Sequence, residues 1–237
     1  MKAVILAGGK GTRLRPYSTV VPKPLMPIGD KPILEIIIRQ LKAKGFEEVI
    51  IMVGHLGELI MAFFGDGSKY GLDINYLKEE QPLGTVGGLG LIKDALDENF
   101  LVINGDTLTT LNFADFVAAH KKNGAMATIA LNRRQIHIDF GVVDVDDRGN
   151  CVKGYNEKPT LERFVSMGVN AFHPEVLELI EPGKYLDFPQ LIQILIDQGK
   201  KVEGYIFDGY WLDIGRLEDC ERANEEIEQL YDKLGIS

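Results

Sequence analysis

The stretch Ala3-Val4-Ile5-Leu6-Ala7-Gly8-Gly9-Lys10-Gly11-Thr12-Arg13 decides how the rest of the chain is read. Ala3–Leu6 is a continuous apolar run of the kind found in strands buried on both faces. It leads directly into Gly8, Gly9 and Gly11. Glycines after a buried strand let backbone N–H groups converge on an anion with no Cβ in the way. Thr12 adds a hydroxyl, and Arg13 adds a planar cationic fork suited to phosphate oxygens. Together they predict a phosphate site at the carboxyl end of the first strand, where open α/β sheets place their ligands.

Two familiar phosphate loops are excluded. No Gly-x4-Gly-Lys-Ser/Thr string occurs, and Gly9-x-Gly11 is followed by Leu14 where a dinucleotide fingerprint needs its third glycine. A tight glycine turn with no ligand remains the plain alternative for the loop by itself. The following segment shifts the balance. Pro16, Pro22, Pro24 and Pro27 fix φ and disfavour helix before them, so 15–29 is expected to be an extended, pre-shaped loop. Lys23, clamped between Pro22 and Pro24, has an immobilised backbone that can aim its ammonium. A Pro-Lys-Pro triplet alone is more often a solvated surface charge; beside the glycine loop it reads as part of the anion site.

Strand and helix signals alternate through the first half. A helix is expected to open at Pro32 with Asp30 as its cap, carry Ile33, Leu34, Ile37, Ile38 and Leu41 inward, and stop at Gly45. A strand over Glu48–Val53, a helix over 57–64, a strand near Ile74–Leu77, a helix from Gly88–Leu89 to Leu96 and a strand over Phe100–Ile103 follow. This order, with uninterrupted apolar strands, predicts a parallel sheet covered on both faces. After residue 124 the pattern turns β-rich, with a hairpin turn at Asp146-Asp147-Arg148-Gly149. Helices are expected at 174–180 and 187–198, a strand over Val202–Phe207 and an acidic amphipathic helix from Leu217 to Leu234. With no linker, repeat or low-complexity tract, the 237 residues read as one domain, with an alternating part (1–124), a β-rich part (125–216) and a closing helix (217–237).

Composition bounds the partners. Apolar residues make up 45% of the chain and charged residues 26%, the usage of an ordinary globular protein. No apolar run is long enough to span a bilayer, so no membrane association is expected. Cys151 and Cys220 have no metal or CxxC spacing, which suits free thiols in a cytoplasmic protein. A net charge of −9 argues against nucleic acid as a partner. A polyanionic substrate would then need local Lys and Arg, and a divalent cation, to be held. His55, His120, His137 and His173 show no ligand spacing and read as structural or surface groups.

Two carboxylates stand out. Asp106 follows an apolar strand and a glycine, and Asp213 closes an aromatic-apolar strand end before Gly215. Acids delivered from two strand ends suit Mg2+, which takes hard oxygen ligands and keeps water and substrate phosphates in its remaining positions. An Asp at a strand end is also a common turn former, so each alone is weak; the pair beside a phosphate loop is stronger.

Ala7-Gly8-Gly9-Lys10-Gly11-Thr12-Arg13-Leu14-Arg15-Pro16, then Pro22-Lys23-Pro24-Leu25-Met26-Pro27 and Lys31-Pro32-Ile33-Leu34-Glu35, resemble the sugar-1-phosphate nucleotidyltransferase family. The resemblance continues through Pro82-Leu83-Gly84-Thr85, Asn104-Gly105-Asp106, Phe140-Gly141-Val142-Val143, Glu157-Lys158-Pro159 and Trp211-Leu212-Asp213-Ile214-Gly215. It implies a Rossmann-like, mixed but mainly parallel sheet flanked by helices, with 1–124 as the nucleotide-binding half and 125–216 as the sugar-phosphate-binding half, and transfer of a nucleotidyl group from a nucleoside triphosphate to a sugar 1-phosphate with Mg2+. A homo-oligomer is left open. By resemblance, Arg13 serves the leaving pyrophosphate, Lys23 and Lys158 the incoming and α-phosphates, and Asp106 and Asp213 the metal. Leu6, Ala7, Gly8, Gly9, Gly11 and Thr12, with Gln81, Gly84, Thr85 and Asp106, then bind the nucleotide. Gly141, Glu157 and Ser166, with Lys23 and Lys158, bind the sugar phosphate.

Charge alone gives the same requirement. Two unit like charges ~4 Å apart repel by about 4 kcal/mol in a surface-like dielectric, so phosphate-to-phosphate attack needs positioning and neutralisation more than a covalent nucleophile. Ser166-Met167-Gly168 stands where mannose-type guanylyltransferases carry Asn-Ala-Gly. A hydroxyl cannot reproduce an amide's paired hydrogen bonds, which bears on the sugar rather than on the reaction. The 82–85 string resembles enzymes that use GTP on mannose or heptose phosphates, and some uridylyl enzymes. Guanylyl transfer to such a sugar is the expectation, with thymidylyl or uridylyl transfer to a hexose 1-phosphate as the alternative. A catalytically silent nucleotide-sugar-binding regulator and an isoprenoid-type cytidylyltransferase are rival classes; Pro22-Lys23-Pro24 and Trp211–Gly215 speak against the latter.

Overall fold

A computed structural model describes residues 1–79 and 81–236. The opening apolar run forms β1 (Lys2–Ala7), with Ala3, Val4 and Ile5 fully buried. Beyond the glycines the chain is not simply extended: 3-10 turns form at Thr12–Leu14, Tyr17–Thr19 and Lys23–Leu25. Proline fits the start of a short turn because the N–H it lacks has no partner there. A small hairpin of β2 (Pro27–Ile28) and β3 (Lys31–Pro32) then leads to α1 (Ile33–Ala43). Asp30 does not cap this helix. Its carboxylate accepts from Lys31 Nζ and from the Tyr231 hydroxyl (2.9 Å).

β4 (Glu48–Val53), α2 (Gly57–Phe64) and β5 (Asp73–Lys78) follow where the sequence places them. The 87–96 segment does not form the expected helix and instead makes 3-10 turns at Gly87–Leu91 and Lys93–Ala95. Glycine is a weak helix former, and here Gly87 and Gly90 are pressed against the backbone of residues 180–186. Close backbone approach prevails over helical continuity. β6 (Phe100–Asn104), the short β7 (Thr107–Thr109) and α3 (Phe113–Asn123) complete the first half.

The second half supplies long strands. β8 (Ala127–His137) precedes a hairpin of β9 (Val142–Val145) and β10 (Val152–Asn156), closed as expected at Asp146–Gly149. β11 (Thr160–Phe172) pairs with β8 over almost its whole length and carries an irregularity between Ser166 and Asn170. A 3-10 turn at Pro174–Leu179, α4 (Phe188–Asp197), β12 (Val202–Ile206) and β13 (Trp211–Asp213) follow. The tail breaks into α5 (Leu217–Glu226), a 3-10 turn at Ile227–Gln229 and α6 (Tyr231–Leu234), rather than one helix to the end. The break lets the Tyr231 hydroxyl reach Asp30 while Leu230 and Leu234 stay buried. Ser237, the last residue of the expected closing helix, lies outside the described residues.

The seven-stranded sheet has the order β12-β8-β11-β6-β1-β4-β5. β5, β4, β1 and β6 run parallel, and β11 is reversed against both β6 and β8. The sheet is therefore mixed and mainly parallel, with helices against it. Alternation along β1 feeds two cores. Ala3, Ile5 and Ala7 pack with α1, whereas Val4 packs with Phe100, Phe172 and Leu191. Among the described residues no helix is long and apolar enough to cross a membrane. Cys151 is exposed and Cys220 buried, and both are free.

His120, fully buried, places Nδ1 2.8 Å from Thr128 Oγ1, and burial holds its pKa below 6.5. Charging it in the folded state is unfavourable, so the stability it supports is complete above pH 6.5 and declines as pH falls below that value. Urea denaturation across this range should show a steeper acid loss for the wild type than for His120→Gln.

Candidate active site

The site begins where β1 and β6 end side by side. Leu6 is in register with Asn104, and the Gly105 N–H donates to the Leu6 carbonyl at 2.9 Å. The glycine loop and Asp106 are thereby neighbours. Gly8 lies against the end of β4 through a contact only glycine permits: a Cβ at Gly54 would stand 2.7 Å from the Gly8 carbonyl oxygen. Gly54 is a structural requirement that the sequence reading did not single out. Gly11 has φ +57°, and a Cβ there would lie 3.3 Å from the Lys23 Cβ. This turn folds the proline-rich segment back over the loop. Lys23 Nζ then pairs with Asp106 Oδ2.

Asp213 arrives from a different strand. β13 pairs antiparallel with β7, setting Asp213 opposite Thr107, and the Ile214 N–H donates to the Asp106 carbonyl at 3.1 Å. Arg13 joins by packing over Gly215, where a Cβ would stand 3.2 Å from its Nη1. Asp213 keeps an edge open to solvent, yet its surroundings are crowded. Burial, then the neighbouring Asp106 carboxylate, push its carboxyl above the ordinary 3.8, opposed by Lys23 and Arg13. Arg13, Lys23, Asp106 and Asp213 therefore form one electrostatic cluster.

The two acids suit a divalent cation. Among the described residues the buried Asp106 Oδ1 has no hydrogen-bond partner, while Oδ2 is taken by Lys23. A buried anionic oxygen left without a donor is costly unless a ligand meets it. Among the described residues no cluster of three or more His, Cys, Asp or Glu side chains could hold a metal. One or two carboxylates completed by water and substrate phosphates is the usual Mg2+ arrangement, so the donor set fits that ion.

Beside this cluster opens a cavity of about 380 Å³, lined by Leu6, Ala7, Gly8, Gly9, Lys23 and Asp106 among others. Of the expected nucleotide loop, Gly84 and Thr85 line it and Gln81 is exposed. Gly11, Thr12 and Arg13 are not among its lining residues, and Thr12 and Arg13 are exposed. Met52, Glu79, Asn104, Tyr185 and Asp187 also line the cavity and were not singled out by sequence. Asp187 has the clearest task. Its Oδ1 accepts from the Thr85 N–H (3.0 Å) and hydroxyl (3.3 Å), its Oδ2 from the Tyr185 hydroxyl (2.5 Å). The Val86 and Gly87 N–H groups add bonds to the Leu186 carbonyl, each 3.1 Å. The only available signal was the position of Asp187 at the start of a predicted helix.

Of the sugar-side candidates Lys23 lines the cavity, whereas Gly141, Glu157, Lys158 and Ser166 lie apart from its lining. Gly141 stands against Tyr155 and Glu157: a Cβ at 141 would collide with the Tyr155 hydroxyl and stand 3.0 Å from Glu157 Oε2. The Tyr155 hydroxyl donates to that same oxygen at 3.0 Å. Lys158 is exposed on the turn between β10 and β11, with φ +47°. Ser166 is exposed at the β11 irregularity, where a Cβ on Gly168 would stand 2.5 Å from the amide nitrogen of cavity-lining Asn104. The Met167 carbonyl of that bend accepts from Trp211 Nε1 at 3.0 Å, linking it to β13.

A family model described as Nucleotidyl transferase matches residues 2–230, and the chain belongs to this family. Among curated relatives, it is 36% identical to a UTP–glucose-1-phosphate uridylyltransferase of Synechocystis, over 94% of this chain and 62% of that protein. It is 34% identical to a mannose-1-phosphate guanylyltransferase of Mycobacterium tuberculosis, over 95% and 64%. It is also 34% identical to a glucose-1-phosphate thymidylyltransferase of Streptomyces griseus, over 96% and 66%. The chain thus spans less than two thirds of the length of the curated relatives it matches. Among solved structures it resembles HddC from Yersinia pseudotuberculosis with a TM-score of 0.74 at 25% identity, covering 95% of this chain and 99% of that one.

Hydrogen bonding, from Tyr185 first and the Thr85 backbone next, holds the Asp187 carboxyl below 3.8. The anchor is therefore complete above that pH and fails as acidification passes through the lowered value. Asp187→Ala removes bonds to a charged acceptor and should cost about 2 kcal/mol in chemical denaturation at neutral pH. It should also weaken nucleoside triphosphate binding in calorimetric titration, through the loosened 82–87 loop.

Proposed function

We propose that the protein transfers a nucleotidyl group from a nucleoside triphosphate to a sugar 1-phosphate, releasing pyrophosphate. The observation that carries this reading is the convergence of Lys23, Asp106, Asp213 and Arg13 beside a glycine-lined cavity. Such a set of two cations and two acids answers the central difficulty of the reaction, the approach of one phosphate ester to another.

In this reading the backbone of Gly8, Gly9 and Gly11, with Thr12, cradles the triphosphate, and Arg13 balances the charge that builds on the departing pyrophosphate. Lys23 draws the sugar phosphate oxygen toward the α-phosphorus, and Lys158 reaches from its turn to the same phosphates. Glu157 accepts from sugar hydroxyls near Gly141, and Ser166 contributes a hydroxyl. Asp106 and Asp213 would hold Mg2+, which when bound supplies charge neutralisation on the phosphate oxygens. No proton needs to leave the attacking oxygen, already anionic in a phosphate, so positioning by these residues carries most of the rate.

For the base and sugar we propose guanylyl transfer to a mannose- or heptose-type sugar 1-phosphate, supported by the likeness of Pro82-Leu83-Gly84-Thr85 to GTP-using enzymes. The test is a matrix of GTP, ATP, CTP, UTP and dTTP against a panel of sugar 1-phosphates with Mg2+, read by pyrophosphate release. GTP with a manno-configured sugar should dominate; release with UTP or dTTP alone would reassign the base. Asp106→Asn and Asp213→Asn should each lower turnover by at least about 100-fold while keeping the wild-type circular dichroism. Full activity in either variant removes that residue from the metal site.

A further inference from the structure

We infer that Asn224, on the tail helix α5, is a positioning residue: it clasps the hairpin that follows Lys23 and so holds that lysine in place beside Asp106 and Asp213. This rests on the nucleotidyl-transfer reading above and deepens it by naming what sets the lysine's place.

The turn that aims Lys23 runs straight into the hairpin. The Lys23 carbonyl accepts from the Met26 N–H at 3.0 Å, and the Met26 carbonyl accepts from the Ile33 N–H at 3.1 Å. Whatever fixes the hairpin therefore fixes the turn. Its strands β2 and β3 have only two residues each, too little to be stable alone in water. Ile28 anchors one strand by full burial. The tip is tied down by the tail. Asn224 Oδ1 accepts from the Gly29 N–H at 2.8 Å, and Nδ2 donates to the Pro27 carbonyl at 3.4 Å and to the Cys220 carbonyl of its own helix at 2.8 Å. An amide carries one acceptor oxygen and two donor hydrogens, and here all three are used. The contact is close. Gly29 has φ +63°, and a Cβ there would stand 2.6 Å from the Tyr231 hydroxyl and 3.4 Å from Ile227 Cγ2.

The same helix is tied to the other half of the charge cluster. In its first turn Asp219 Oδ2 accepts from the Gly215 N–H at 2.9 Å and the Arg216 N–H at 2.7 Å, just beyond Asp213. Between these two grips lies the buried Cys220. Burial, then Asp219, push its thiol up, and Lys23 is near enough to act the other way. Asp219 and Asn224 are separated by about 7.5 Å along the helix axis. α5 is therefore a rigid spacer with Asp213 at one end and the Lys23 hairpin at the other. Asn224 is not among the residues that line the cavity, so its effect on the chemistry passes through Lys23.

Asn224 stands at the surface, and Asn224→Ala opens no core cavity. Brief acetylation of the full chain with an N-hydroxysuccinimide ester, read lysine by lysine by mass spectrometry, reports the exposure of Lys23 without any need for turnover. In Asn224→Ala, modification of Lys23 should rise several-fold while Lys2 and Lys78 keep their wild-type rates. With the substrate pair found by the matrix above, kcat/KM for the sugar 1-phosphate should fall about tenfold or more, and the calorimetric Kd for the nucleoside triphosphate should not change. A merely structural role would expose lysines throughout and weaken both substrates alike. Tyr231→Phe removes only the exposed 2.9 Å bond to Asp30; it should move Lys23 the same way and decides the matter if Asn224→Ala does not fold. Wild-type labelling of Lys23, a general rise across all lysines, or selective labelling with unchanged kcat/KM overturns the inference. A selective rise in a protein that releases no pyrophosphate with any substrate pair upholds the clasp and refutes the transfer reading. Transfer by the wild type with no selective rise in the variants does the reverse.

Discussion

The pairing of Lys23 with Asp106 joins partners 83 positions apart, and each is delivered by rigid backbone. Lys23 opens a 3-10 turn between two prolines, and Asp106 follows Gly105, which is bonded to the end of β1. Neither side chain has far to move. Paired in this way, the lysine is aimed and the acid is half-neutralised before any phosphate arrives. Among the described residues the other oxygen of Asp106 is left buried and free. In a chain of net charge −9 this local arrangement matters more than the overall charge, because screening damps distant groups and spares close, half-buried ones.

Sheet topology explains why the other candidates gather nearby. β5, β4, β1 and β6 are adjacent and parallel, so the segments leaving their carboxyl ends emerge along one edge. Those segments hold Glu79, Gly54, the glycine loop and Asp106. The reversed strand β11 does something different. It brings its bend at Ser166–Asn170 back beside Asn104 and lets its far end, with β8, extend away toward Glu157 and Lys158. One strand running the other way thus separates the strand-end cluster around Asp106 from Gly141, Glu157 and Lys158.

What the sequence made legible were features encoded within a few residues. Continuous apolar runs marked β1, β4 and β6, glycines after a buried strand marked the loop, and Asp146–Gly149 marked a hairpin. What it concealed depends on distant partners. Gly88–Leu96 has helical spacing, yet neighbouring glycines are used for contact with residues 180–186. Asp30 has the composition of a cap, but Tyr231 and Lys31 claim it. Asp187 anchors Thr85 across 102 positions, which no local pattern announces. Gly54 matters only because Gly8 is pressed against it.

Charge is unevenly distributed along the cavity. Asp106 follows β6 and Glu79 follows β5, which lie three strand spacings apart in the sheet. At about 4.8 Å per spacing the two strand ends lie roughly 14 Å apart, but the Glu79 carboxylate reaches back from β5 to stand against Gly8 and Gly88. Lys23 and Arg13 sit at the Asp106 end, where they attract a polyphosphate. Glu79 enters the cavity from the β5 side, and among the described residues no cationic side chain acts on it. A polyphosphate placed against Glu79 would set like charges together, whereas Lys23 and Arg13 meet it with opposite charge. The cavity therefore carries an acid toward β5 and paired, oppositely charged groups toward β6, so a polyphosphate is favoured beside Lys23 and Arg13 and disfavoured beside Glu79.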